Sequence, residues 1–153
     1  MNSLLRQTPT FRKMLQSDVD RVILIERTIF LFPWSPVNFS DSINSGYHCQ
    51  ILEQSDTLLG YGVMTINVDE AHILTIGIAP EWQNKGLGKK LLYHFIQSAK
   101  QEYAQSMILD VRVSNHGAAS LYKQIGFKKI GMRKGYYPAM CGREDAIVMQ
   151  LML

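Results

Sequence analysis

The sequence predicts a mixed α/β (α+β) fold, with a mostly antiparallel sheet flanked by helices. Three observations carry this expectation. Leu87, Leu91, Leu92, Phe95, Ile96 and Ala99 recur at three- and four-residue steps, the stripe of a strongly amphipathic helix. Before that helix come three apolar runs separated only by polar turns, the pattern of antiparallel strands. After it, strand-like and helix-like runs follow in an order that fits neither a barrel nor a regularly doubly wound sheet. With 153 residues, 46% of them hydrophobic and 19% charged, residues 1–153 are expected to form a single domain with a substantial core.

The elements follow in chain order. Residues 1–17 mix Arg6, Arg12 and Lys13 with isolated apolar positions, so no secretory leader is expected there. Ser17 with Asp20 reads as a helix start of the capping-box kind, and Val19, Val22, Ile23, Ile29 and Phe30 then follow helical spacing. Glu26 falls on that apolar face and is expected to be a boundary residue paired with a nearby arginine, a site role being the alternative. Phe32-Pro33-Trp34-Ser35-Pro36 must break the helix, because proline lacks the N–H and clashes with the preceding turn. A short helix is expected around Val37–Ser45, then strands over Tyr47–Glu53 and Leu58–Asn67 joined by a polar turn, and a third strand over Ala71–Ile78. The amphipathic helix is followed by a strand over Met107–Val113 and a helix over Gly117–Ile125 that stops at Gly126. Two strands, near Lys128–Gly135 and Ala146–Leu153, close the sheet.

Composition narrows the function classes. The formal charge of +3 is well short of a nucleic-acid coat and compatible with a small anionic ligand. Cys49 and Cys141 lack CxxC spacing and read as two reduced thiols of a cytoplasmic protein. The longest apolar run, Ala146–Leu153 broken by Gln150, is too short for a bilayer, so no membrane association is expected. His48, His72, His94 and His116 are dispersed without ligand-pair spacing, and no metal is expected. There is no G-x-S-x-G elbow. Acidic Glu144 and Asp145 beside Arg143, Tyr136 and Tyr137 argue against direct nucleic-acid binding.

The loop Gln83-Asn84-Lys85-Gly86-Leu87-Gly88-Lys89 lies between a strand and the amphipathic helix. A helix N-terminus offers unpaired N–H groups and the positive end of the dipole, and glycine lets a phosphate approach the backbone closely. The dinucleotide fingerprint needs a third glycine where Leu91 stands. The P-loop needs glycine at Gln83 and Ser or Thr at Lys90. What remains is a Q-x-x-G-x-G loop suited to a pyrophosphate, glycines marking a plain helix entrance being the alternative.

A second constellation is Leu109-Asp110-Val111-Arg112-Val113-Ser114-Asn115, with Tyr122 on the next helix. Asp110 alternates with Leu109 and Val111 and so projects from one sheet face. Asn115 is placed to cap the following helix, which is one complete account of it. Tyr122 reads either as a functional hydroxyl or as packing.

These residues match a known family. The loop Gln83–Lys89 resembles the acetyl-CoA pyrophosphate loop of the GNAT superfamily, and Asn115–Phe127, N-x-x-A-x-x-L-Y-x-x-x-G-F, resembles its second CoA-side segment. More narrowly, the chain is similar to the RimI-type ribosomal-protein-alanine N-acetyltransferases. That similarity rests on Phe32-Pro33-Trp34-Ser35, Asp69-Glu70-Ala71, Leu109-Asp110-Val111-Arg112, Tyr136-Tyr137-Pro138 and Gly142-Arg143-Glu144-Asp145-Ala146-Ile147.

The resemblance implies the GNAT fold, acetyl-CoA as donor, and the N-terminal alanine of a small-subunit ribosomal protein as acceptor. It implies that Ile76, Gly77 and Ile78 meet the acetyl and pantetheine arm. Asn84, Lys85, Gly86, Leu87, Gly88 and Lys89 would hold the pyrophosphate, and Asn115 would contact CoA. Phe32, Trp34, Tyr136 and Tyr137 would line the acceptor. The family's general base is a glutamate in L-E-V-R. Asp110 stands there, shorter by one methylene, which implies proton abstraction through an intervening water. Tyr122 matches the family's general acid. Gly77 is expected to mark a bulge that frees a backbone N–H for the thioester oxygen. Two readings stand beside this one: a lysine or small-amine acceptor, and a non-catalytic acyl-CoA sensor.

Overall fold

The computed structural model describes residues 8–153, so Arg6 and the first part of the leader reading lie outside the described residues. The strands are β1 (Thr10–Lys13), β2 (His48–Gln54), β3 (Thr57–Asn67), β4 (Glu70–Ile78), β5 (Ser106–Arg112), β6 (Lys128–Pro138) and β7 (Arg143–Met152). The helices are α1 (Val19–Ile29), α2 (Pro36–Asn44), α3 (Leu87–Gln101) and α4 (His116–Ile125). The sheet is mixed, with hydrogen-bonded order β1-β2-β3-β4-β5-β7-β6. β4 and β5 pair in parallel, from Glu70↔Ser106 to Ile73↔Leu109. β5 pairs antiparallel with β7, so the last strand of the chain lies between β5 and β6.

Local chemistry explains the departures from the sequence reading. β1 has no counterpart there, because four residues with only the middle two partly buried show no alternation long enough to detect. It is an edge strand, paired from Thr10↔Glu53 to Lys13↔Gln50, and Arg12 ties it down. The Arg12 guanidinium donates to Glu53 Oε1 at 2.8 Å and to both oxygens of Asp18 at 2.8 Å. The expected Ser17–Asp20 box is not the start of α1. A 3₁₀ turn over Gln16–Asp18 leads in, and the buried Asp18 accepts the Leu15 N–H at 2.7 Å. The proline segment follows the end of α1 as expected, and Pro36 also begins α2, one residue before the expected start at Val37. Ser35 caps α2, its Oγ accepting the Asn38 N–H at 3.2 Å, and proline is pre-organised for the first helical position. Ser55 and Asp56, with φ of 48° and 65°, form the left-handed two-residue loop that joins β2 to β3.

The chain forms two compact units. Among the described residues, one comprises residues 8–64 together with Thr75–Leu92; the other comprises Thr65–Leu74 together with Tyr93–Leu153. The first buries Val22, Phe39, Ile51, Leu59, Tyr61 and Val63. The second buries Phe95, Ala99, Met107, Leu109, Phe127 and Met149. Among the described residues, no helix is long and apolar enough to cross a membrane.

Candidate active site

In the first unit, Glu26 organises a set of side chains that the sequence reading did not connect. It is 2% exposed, and its Oε1 accepts the Tyr61 hydroxyl at 2.7 Å and the Thr75 hydroxyl at 3.4 Å. Its Oε2 accepts the Trp34 N–H at 2.9 Å. None of these partners is an arginine, contrary to expectation. The face of α1 that carries Glu26 points into the unit, where polar donors rather than a charge satisfy it. Burial pushes its carboxyl above the ordinary value, against the hydrogen bonds from Trp34, Tyr61 and Thr75. The available signal was a carboxylate on an apolar helix face.

This cluster joins the Phe-Pro-Trp-Ser turn to β4. Trp34 also packs on Phe39 with ring centroids 5.0 Å apart, whereas Phe32 is partly exposed. Gly77 is buried against the same tyrosine. A Cβ there would stand 2.6 Å from both the Tyr61 hydroxyl and Ile29 Cδ1, so the close approach of these side chains requires glycine. The pairing of β4 with β5 runs only from Glu70 to Ile73, so Gly77 lies beyond it. Gln83 donates its side-chain amide to the Ile78 carbonyl at 3.0 Å, fastening the glycine loop to the end of β4.

Within that loop Asn84 and Gly86 are left-handed, with φ of 61° and 79°. The space where a Gly86 Cβ would stand is open, with no atom within 4 Å. Asn84, Lys85, Gly86 and Lys89 are exposed, while Leu87 and Gly88 are partly buried as α3 begins. An open, wound backbone with two lysines at the positive end of a 15-residue helix fits a pyrophosphate.

In the second unit Asp110, Tyr136 and Tyr122 all act electrostatically on Tyr137. The Tyr137 hydroxyl is held above its ordinary value by burial and then by the fields of Asp110 and Tyr136, with Tyr122 also in reach. Asp110 is part of an ionic cluster. Its Oδ2 lies 3.2 Å from His72 Nε2, and its Oδ1 accepts Arg133 Nε at 3.0 Å. Burial pushes the Asp110 carboxyl up, but the bonds from His72 and Arg133 outweigh it and hold the group below its ordinary value. Tyr122 is 8% exposed, and burial pushes its hydroxyl up to about 12. No described residue bonds that hydroxyl, and it is not sealed from solvent. Asn115 caps α4, its Oδ1 accepting the Ala118 N–H at 3.2 Å.

The tail is fastened to β5 through Arg112. Its Nη1 donates to Glu144 Oε1 at 3.0 Å and to the Pro138 carbonyl at 2.8 Å, and its guanidinium lies 4.5 Å from the Tyr137 ring. Asp145 accepts the Gly135 N–H at 2.8 Å. The irregular stretch of the β6–β7 ladder between Arg133 and Tyr137 is thereby held in one conformation, with Tyr136 and Tyr137 edge to face. Among the described residues, no group of three or more His, Cys, Asp or Glu is arranged to hold a metal ion.

The fold is that of the acetyltransferases: residues 19–127 match the acetyltransferase (GNAT) family, and the chain belongs to that family. It is similar to the "[Ribosomal protein bS18]-alanine N-acetyltransferase" of Escherichia coli K12, 33% identical over 142 residues, covering 93% of this chain and 96% of that protein. The crystal structure of the ribosomal-protein-S18-alanine N-acetyltransferase from Escherichia coli superposes with a TM-score of 0.88 at 32% identity, covering 95% of this chain and 94% of that one. A Salmonella typhimurium protein described as "a putative acetyltransferase", solved with acetyl-CoA, shares the fold with a TM-score of 0.80 at 19% identity, covering 96% of this chain and 95% of that one.

Proposed function

We propose that this chain is a cytoplasmic, single-domain N-acetyltransferase that moves acetyl from acetyl-CoA to the N-terminal alanine of a ribosomal protein of the bS18 type. The observation that carries this reading is the Arg112–Glu144 tie. It joins the L-D-V-R strand to the G-R-E-D tail, two of the segments on which the resemblance to relatives with that acceptor rests, and with the Arg112–Pro138 bond it ties the run that carries Tyr136 and Tyr137 to the strand that carries Asp110.

Each group has a task. The loop Asn84–Lys89 holds the pyrophosphate through backbone N–H groups and Lys85 and Lys89. Ile76, Gly77 and Ile78 present backbone to the acetyl and pantetheine arm, and Asn115 contributes on the CoA side. By the family resemblance, Phe32 and Trp34 are acceptor-side residues of the first unit, and Tyr136 and Tyr137 are acceptor-side residues of the second. Asp110 belongs to the proton-accepting end, because an α-amine with a reference pKa near 7.7–8.0 is largely protonated at neutral pH. Tyr122 belongs to the proton-donating end. Burial raises its hydroxyl to about 12, which favours donating a hydrogen bond over giving up the proton outright. Tyr122 therefore works by donating a hydrogen bond to sulfur as charge develops there, solvent supplying the final proton.

The test is CoA release from acetyl-CoA with three peptides, followed by mass spectrometry to locate the acetyl group. One peptide begins with alanine, one carries the same sequence with a blocked N-terminus, and one is blocked with an added lysine. The reading requires acetyl on the free alanine only. Modification of the blocked lysine peptide alone moves the acceptor to a side chain, and no release from any amine leaves a non-catalytic CoA-binding protein.

A further inference from the structure

Asp110 is poorly placed to take a proton by itself. Both of its oxygens are committed, Oδ1 to Arg133 and Oδ2 to His72, and its side chain is 8% exposed. An aspartate at its reference value binds a proton about 400-fold more weakly than an imidazole at its own, and the bonds to Asp110 weaken it further. His72 is better presented. Its side chain is 26% exposed, and it sits on β4 opposite Ile108, which shares a face of β5 with Asp110.

We propose that His72 is the proton acceptor of the acetyl transfer and that Asp110 is its positioning residue. The inference rests on the acetyl-transfer reading above and deepens it. An ionised carboxylate only accepts hydrogen bonds, so the nitrogen facing Asp110, Nε2, carries the hydrogen. In neutral imidazole the other nitrogen is then the acceptor, and no described residue bonds Nδ1 of His72. This is the arrangement of a base whose tautomer is set by a carboxylate behind it. The imidazole supplies the reach that Asp110 lacks relative to the family's glutamate.

The charges around the pair are consistent with the assignment. Arg133 from β6 keeps Asp110 ionised, and the Tyr136 ring lies 5.5 Å from that guanidinium. Tyr137, half-buried and within the field of Asp110, holds its proton and adds no charge. Arg112, the other cation at this end of β5, is neutralised by Glu144. As the amine nitrogen bonds to the acetyl carbon and the carbon–sulfur bond breaks, the proton lost by nitrogen goes to His72 Nδ1. The departing sulfur, hydrogen-bonded to Tyr122, ends as a thiol with a proton from solvent, to which His72 returns its own. Electrons and protons balance without a further reactant.

The experiment compares pH profiles of kcat and kcat/KM for wild type, His72→Gln, His72→Ala and Asp110→Asn on an alanine-starting peptide, with thermal melts to confirm folding. His72→Gln is expected to lower kcat by about 100-fold or more and to abolish the acid limb, with acetyl-CoA affinity within about twofold of wild type. Added imidazole is expected to restore turnover to His72→Ala, a readout that lost packing does not produce. Asp110→Asn is expected to keep an acid limb while lowering kcat, because the imidazole remains but loses the carboxylate that orients it. A His72→Gln profile of unchanged shape, whether or not its height falls, overturns the proposal. Wild-type enzyme that is inactive on the peptide overturns the acceptor reading, and this inference with it.

Discussion

The Tyr61 hydroxyl donates to Glu26 Oε1 at 2.7 Å, and both side chains are essentially closed to solvent. A buried carboxylate that loses one donor keeps its desolvation cost, so Tyr61→Phe is expected to destabilise the fold by about 1–3 kcal/mol. The pH dependence has a definite sign. The native carboxyl of Glu26 binds its proton more tightly than its ordinary value of 4.5 allows in the unfolded chain. Its contribution to stability is therefore fully present below about pH 4.5 and declines as pH rises through the raised native value. Asp18, held well below its ordinary value chiefly by Arg12, contributes in the opposite sense, and its contribution is lost in acid. Denaturant melts across pH should show the Glu26 decline in wild type and its absence in Glu26→Gln.

Gly77→Ala places a methyl 2.6 Å from the Tyr61 hydroxyl, which Glu26 holds in place, and 2.6 Å from Ile29 Cδ1. Neither neighbour is free to yield without losing packing or a hydrogen bond. The expected cost is about 1–3 kcal/mol, read from a denaturant titration. A neutral result would show that the tyrosine can move.

Gly86→Val should weaken acetyl-CoA binding by at least about tenfold in calorimetry while the circular-dichroism spectrum stays unchanged. Gly86 has φ of 79°, which a β-branched residue adopts only under strain, yet its side-chain position is open, so the core is not disturbed. Unaltered affinity in the folded variant would remove the loop from the cofactor site.

Tyr122→Phe should lower turnover by about two to three orders of magnitude with little change in acetyl-CoA affinity, the loss expected when one donor to developing charge is removed. The ring packs against Phe127, with centroids 5.8 Å apart, and the substitution keeps that contact while deleting only the hydroxyl. Turnover within about twofold of wild type would make Tyr122 a packing residue.

Much of this protein is legible along the chain, because local signals report local physics. The stripe from Leu87 to Ala99 marks α3, the proline turn separates α1 from α2, and Gly126 closes α4 with φ of 122°. The glycine loop and the run from Asn115 to Phe127 were readable for the same reason: each chemical requirement falls within a few consecutive residues. Pairings between distant residues were not legible. Glu26 looked like a candidate for an arginine, and only the packing of β3 and β4 against α1 showed three neutral donors from Trp34, Tyr61 and Thr75 around it. β1 was missed because four edge residues carry too little pattern, and what secures them is the pairing of Arg12 with Glu53, 41 residues away. Asp110 could be placed on one face of its strand, but its partners could not be named. The parallel register of β4 with β5 brings His72 to one of its oxygens, and Arg133 from β6 takes the other. Hydrophobic period and turn chemistry depend on neighbours in sequence, whereas the charge state of a buried carboxylate depends on whichever donors the folded chain brings to it.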